Sequence, residues 1–332
     1  MVEFWTAALA LVIFLYVLLD GFDLGVGILF GLARTEPCKQ QMLHAISPVW
    51  DGNETWLVIA GAVLFGAFPV VYSLLLSAFY IPLILMLCGL ILRGVAFEFR
   101  EKSTGSKPVW DAGFALGSLV AAFVQGCAVG ALAEGLPNSD GRFTGGLFFW
   151  AQPFPVLCGI GLCLGYALIG ASWLIGKTEG ELRDRSYRQA LWLLAGVLLF
   201  LMVAFVVALE LDLRVMNRWV ERPYLAVFPI LGAVGCGAIV FGLGRRQDNL
   251  PFQGSVLLFA TAFGTLAASF LPYMVPSRSP LRMRPHRRRA CPSCSGSLHR
   301  RPAVDLLYIY RDCLCGIPRK DPAKQRSILE CF

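Results

Sequence analysis

LYVLLDGFDLGVGILFG, from Leu15 to Gly31, is apolar over most of its length, yet it holds two carboxylates, Asp20 and Asp23, and four glycines. It lies inside a longer apolar run over about 4–30. Since about 20 apolar residues suffice for a helix to cross hydrocarbon, a membrane helix is predicted here. Asp20 and Asp23, three residues apart, then share a face of it. The preceding MVEFW has no Lys or Arg, and the run exceeds a signal-peptide core, so it is expected to remain as a membrane segment.

The rest of the chain has the same character. Of 332 residues, 57% are apolar and only 15% charged, with a mean hydropathy of +0.64. That is too little charge to cover a soluble domain of this size. Eight spans are predicted, over about 4–30, 55–75, 77–98, 111–134, 153–176, 190–209, 223–243 and 251–275, forming an all-α polytopic bundle. Loops after the first, third, fifth and seventh carry eleven Lys/Arg, and those after the second, fourth and sixth carry four. Positive charge stays on the cytoplasmic side, so the amino terminus is expected outside.

The sequence changes after about Pro276. Residues 277–332 hold 13 Lys/Arg against 4 Asp/Glu, while the first 276 residues hold 16 against 18. Eight spans would put this basic tail outside, against the charge rule, whereas a ninth would put it inside. The tail therefore reads as a shifted reading frame, and 1–276 as the membrane domain. A genuine basic tail that binds anionic lipid or nucleic acid is the alternative. Five of the eleven cysteines crowd into the last 42 residues, and no disulfide framework follows. CPSC, with His286 and His299 nearby, lacks the second spaced pair of a zinc site, so no metal is expected.

Ionisable groups in the bilayer face a partner, a bundle interior or water. DGFDLGVG has too few oxygens for calcium, and GVGILFG fits helix packing better than phosphate binding. In SPVWDGNETW, Trp50 and Trp56 suit interfacial anchors, but Asp51, Asn53 and Glu54 together exceed what a helix cap requires. Asp51 and Glu54 are thus read as proton or ion groups. Arg93, deep in LILRGVAFEFR, needs a carboxylate such as Glu98 or an acidic ligand such as a haem propionate. Arg100 suits a boundary charge, and Glu134, Glu210 and Asp212 suit helix ends. His44 is the only histidine before the tail, so no histidine pair can hold a haem, and a single-ligand haem on His44 stays open.

LLDGFDLGVGIL, then ISPVWDGNETWLVIAGAVLFGAFPVVY and FYIPLILMLCGLILRGVAFEFR, closely resemble subunit II of the cytochrome bd-type quinol oxidases, the cyanide-insensitive branch included. Beyond 111 the likeness continues more loosely to SFLPYMVP. The resemblance implies two four-helix bundles plus one helix, in a multi-pass subunit of the bacterial inner membrane. It implies a heterodimer with subunit I, to which small single-helix subunits can be added, in the aerobic respiratory chain. Haem b, haem d and the quinol site would lie in subunit I, with ubiquinone structural in some members. No nucleic acid is implied as a partner. Subunit II would assist haem assembly and proton delivery. Matched position by position, Asp51 is the leading proton-path residue, with Asp20, Asp23, Asn53, Glu54 and Trp50 secondary. A proton- or cation-coupled carrier is the other functional class the acids suit, and a scaffold without titrating groups is the third.

Overall fold

A computed structural model describes residues 2–103, 105–139, 142–210 and 223–270. All of these belong to one unit, Met1–Met283; a second, Arg284–Phe332, lies outside the described residues. The basic tail and the expected ninth helix therefore fall outside them, as do Asp212 and the arginines at 214, 218 and 222.

The elements are almost entirely helical. They are α1 (Val2–Phe30), α2 (Glu36–Ile46), α3 (Trp50–Ala67), α4 (Pro69–Ala78), α5 (Tyr80–Lys102), α6 (Lys107–Glu134), α7 (Pro153–Lys177), α8 (Gly180–Glu210), α9 (Val227–Arg245) and α10 (Leu250–Phe270). A two-residue antiparallel pair, Asn138–Ser139 with Arg142–Phe143, interrupts the α6–α7 connection. Local chemistry sets many of the ends. Prolines stand in the first turns of α2, α4, α6 and α7, where the missing N–H is not needed. Past α6, Gly135 takes φ 93°. At the end of α9, Arg246 is left-handed and the Gln247 N–H bonds back to the Gly242 carbonyl at 2.9 Å.

Among the described residues, seven helices are long and apolar enough to cross a membrane: α1, α5, α6, α7, α8, α9 and α10. The predicted second span, 55–75, is corrected by the structure, because it is split between α3 and the ten-residue α4. The break is at Phe68, whose φ −135° and ψ 58° are forced out of the helical region by the following Pro69. The polar stretch ARTEPCKQQ between the first two predicted spans supplies the start of α2, which buries Cys38, Met42 and Ile46.

α1 lies at the centre and packs on α3, α6 and α7. The glycines of the opening stretch explain how. A Cβ on Gly25 would collide with the Tyr166 carbonyl of α7, and one on Gly170 would come within 2.6 Å of the Gly25–Val26 peptide. The two backbones cross in contact, with Leu24, Val26, Tyr166, Leu168 and Ile169 fully buried around them. Small residues permit such an approach where helices have no water to exclude. α8, by contrast, exposes Leu191, Trp192, Leu198, Leu199 and Met202.

Candidate functional site

The close packing of α1 carries Asp20 and Asp23 into the interior, where both are 0% exposed. Two neighbouring helices meet them there. From α5, Arg93, itself 1% exposed, donates from Nη2 to Asp20 Oδ1 at 2.7 Å and, from the same nitrogen, to Glu54 of α3. From the first turn of α3, Asn53 donates from Nδ2 to Asp23 Oδ2 at 2.7 Å and to the Leu19 carbonyl at 3.3 Å. Glu54 is the member nearest the bundle surface, with 28% of its side chain exposed.

Taken with formal charges, three carboxylates face one guanidinium. Asp20 Oδ2, Asp23 Oδ1 and Arg93 Nε and Nη1 find no further hydrogen-bond partner among the described residues. Buried polar atoms ordinarily have partners, so the cluster has capacity for additional donors and acceptors. Asp20 and Glu54 already give Arg93 two carboxylate partners.

The structure brings together Asp20, Asp23, Asn53, Glu54 and Arg93 and leaves the other predicted residues at the periphery. Asp51 is exposed on α3, one turn before Glu54. Trp50 packs its ring on Phe97, with centroids 4.9 Å apart. Glu98 is exposed, because five residues along a helix turn it away from the face of Arg93. His44 is exposed on α2, and no group of three or more His, Cys, Asp or Glu suited to a metal ion forms among the described residues.

Two polar groupings escaped the sequence reading. In the first, the Tyr166 hydroxyl donates to Gln125 Oε1 at 2.9 Å, and Gln125 Nε2 donates to the Tyr16 hydroxyl at 2.6 Å. Tyr16 stands one turn before Asp20 and interacts with it electrostatically. The four-residue spacing of Tyr16 and Asp20, and a lone amide in the middle of α6, were the available signals.

The second lies at the helix ends. Arg100, in the last turn of α5 as a boundary charge would be, is 3% exposed and binds Asp111 and, at 2.8 Å, Glu36; Lys39 reaches Asp111 at 2.7 Å and Lys107 reaches Glu36 at 3.2 Å. The Arg100 hydrogen bond, with help from Lys107, holds the Glu36 carboxyl below its ordinary range. On the same face of the bundle, hydrogen bonds from Tyr187 and Arg183 do the same for Asp248.

Comparison with known proteins gives a consistent result. A family model for the cytochrome bd terminal oxidase subunit II matches residues 1–287. The chain is 34% identical over 293 residues to a probable cytochrome oxidase subunit 2 of Haemophilus influenzae, covering 78% of each. It is 33% identical over 310 residues to the cytochrome bd-I ubiquinol oxidase subunit 2 of Escherichia coli, covering 82% of this chain and 81% of that one. It is 29% identical over 281 residues to the cytochrome bd ubiquinol oxidase subunit 2 of Bacillus subtilis, covering 83% and 82%. The structure of bd oxidase from Geobacillus thermodenitrificans shares the fold at a TM-score of 0.68 and 16% identity, over 95% of this chain and 94% of that one.

Proposed function

Because this chain belongs to the cytochrome bd terminal oxidase subunit II family and is a multi-pass membrane subunit of a quinol oxidase complex, we propose that its buried acid cluster delivers protons to the oxygen-reducing site of subunit I. The observation that carries this reading is the pair of fully buried carboxylates, bonded through one oxygen to Arg93 or Asn53, with Tyr16 beside Asp20. Glu54, partly exposed, stands between them and the exposed Asp51. Asp51, Glu54, Asp20 and Asp23 thus form a stepwise approach from the surface of α3 to the interior. Arg93 holds two of these acids in place.

The excess of Lys/Arg beside the carboxyl end of α1 supports a cytoplasmic placement of that face, with the amino terminus outside. Haem b, haem d and quinol chemistry are assigned to subunit I. In support, the chain has one histidine before residue 276, and it is exposed. Residues 277–332 are taken as a tail of altered sequence, and the part of it after residue 287 lies beyond the family match. Reading the gene's other two frames tests it, and an apolar stretch of helix length in one of them is expected.

The carrier reading is not favoured, since the relatives are oxidase subunits. The proton reading is tested by oxygen uptake with quinol in the purified complex carrying Asp51→Asn, Glu54→Gln or Asp20→Asn. Loss of turnover with haem spectra retained is the expected result. Full turnover in all three assembled variants would reduce the cluster to a scaffold.

A further inference from the structure

The end of α1 and the first turns of α8 line an open groove of about 420 Å³ that shares no lining residue with the acid cluster. Its apolar walls include Leu29, Leu193 and Trp192, and its polar wall is Arg185, Arg188 and Gln189. Of the three arginines in this part of α8, Arg183 pairs with Asp248, on another side of the helix. Arg185 and Arg188 are three apart and share the groove face, and neither forms an ion pair with a carboxylate among the described residues. Arg185 is nevertheless held, donating from Nη2 to the Leu32 carbonyl at 2.6 Å just past the end of α1. Among the described residues, both positive charges are thus presented without a carboxylate in contact.

The groove also sits where α8 changes character. GELRDRSYRQ is its polar beginning, and ALWLLAGVLLFLMVAFVVALE is its apolar continuation. Arg188 occupies the last polar turn, and Trp192, 77% exposed, the first apolar one. A ligand matching both ends has an anionic head and a hydrocarbon chain. We propose that this groove binds one anionic phospholipid, its phosphate between Arg185 and Arg188 and an acyl chain along Trp192 and Leu193. Interfacial arginines attract anionic headgroups, and a tryptophan suits the boundary just inside them.

The test is native mass spectrometry of the delipidated oxidase complex titrated with phosphatidylglycerol or phosphatidylcholine. Arg188→Gln removes one charge and leaves the Arg185–Leu32 bond in place. It is expected to weaken phosphatidylglycerol binding about five-fold. Arg188→Lys should keep most of it, and phosphatidylcholine should bind weakly to all three proteins. Phosphatidylglycerol with brominated chains should quench the tryptophan fluorescence of the wild-type complex more than that of Trp192→Phe, a readout that holds even where Arg188→Gln fails to assemble. Equal binding of the two lipids, unchanged binding by assembled Arg188→Gln, or no quenching assignable to Trp192 because another subunit covers it, would overturn the proposal.

Discussion

Arg93 and Asp20 meet at 2.7 Å with side chains 2% and 0% exposed, which makes them a buried ion pair between α5 and α1. Removing one member of such a pair leaves the other charge unpaired, at about 3–5 kcal/mol. Arg93→Leu is therefore expected to destabilise the complex by about that amount, whereas Arg93→Leu with Asp20→Leu should recover much of the loss. Denaturation of the detergent-solubilised complex, followed by its haem absorbance, checks this. A double variant no more stable than the single one would show that the pair is not the unit.

Asn53 is the only donor recorded to the Asp23 side chain among the described residues. Asn53→Ala should cost about 1–3 kcal/mol, the penalty of a buried polar group left without its partner. Asn53→Asp should cost more, because it sets two carboxylates side by side. The same denaturation measurement ranks the two variants.

The crossing of Gly25 and Gly170 leaves no room for a methyl group on either residue. Gly25→Ala and Gly170→Ala should push α1 from α7, displace Asp20 and Asp23 with α1, and lower the yield of assembled complex. Gly61, with nothing within 4 Å of a Cβ, is the control. Gly61→Ala should accumulate normally, measured by immunoblot and haem content of membranes.

Glu36 links α2 to Arg100 and Lys107, and its carboxyl is held below its ordinary value of 4.5, chiefly by the Arg100 hydrogen bond. A group with a depressed folded pKa contributes stability that is fully present above its unfolded value and is lost as pH falls through the folded one. Wild-type melting temperature should therefore drop relative to Glu36→Gln as pH falls below 4.5, and the two should run parallel above it. Because Glu36 is well exposed, added salt should shrink the difference.

Composition and hydrophobic run lengths, by themselves, determined that the chain is a multi-pass helical membrane protein. Charge asymmetry between loops predicted its orientation. Asp20, Asp23 and Arg93 were legible as residues in need of partners, because an unpaired charge in hydrocarbon is too costly to persist. The tertiary structure decided which partners they found. Arg93 meets Asp20, 73 residues away, and Glu54, 39 away, leaving Glu98 on its own helix exposed; Asp23 meets Asn53, 30 away. The polar chain through Tyr16, Gln125 and Tyr166 and the burial of Arg100 appeared at the same level. Helical periodicity says which side chains share a face but not what faces them. That depends on how the helices cross, and the crossing of α1 and α7 is set by a backbone contact at Gly25 and Gly170 that exists only in the assembled bundle.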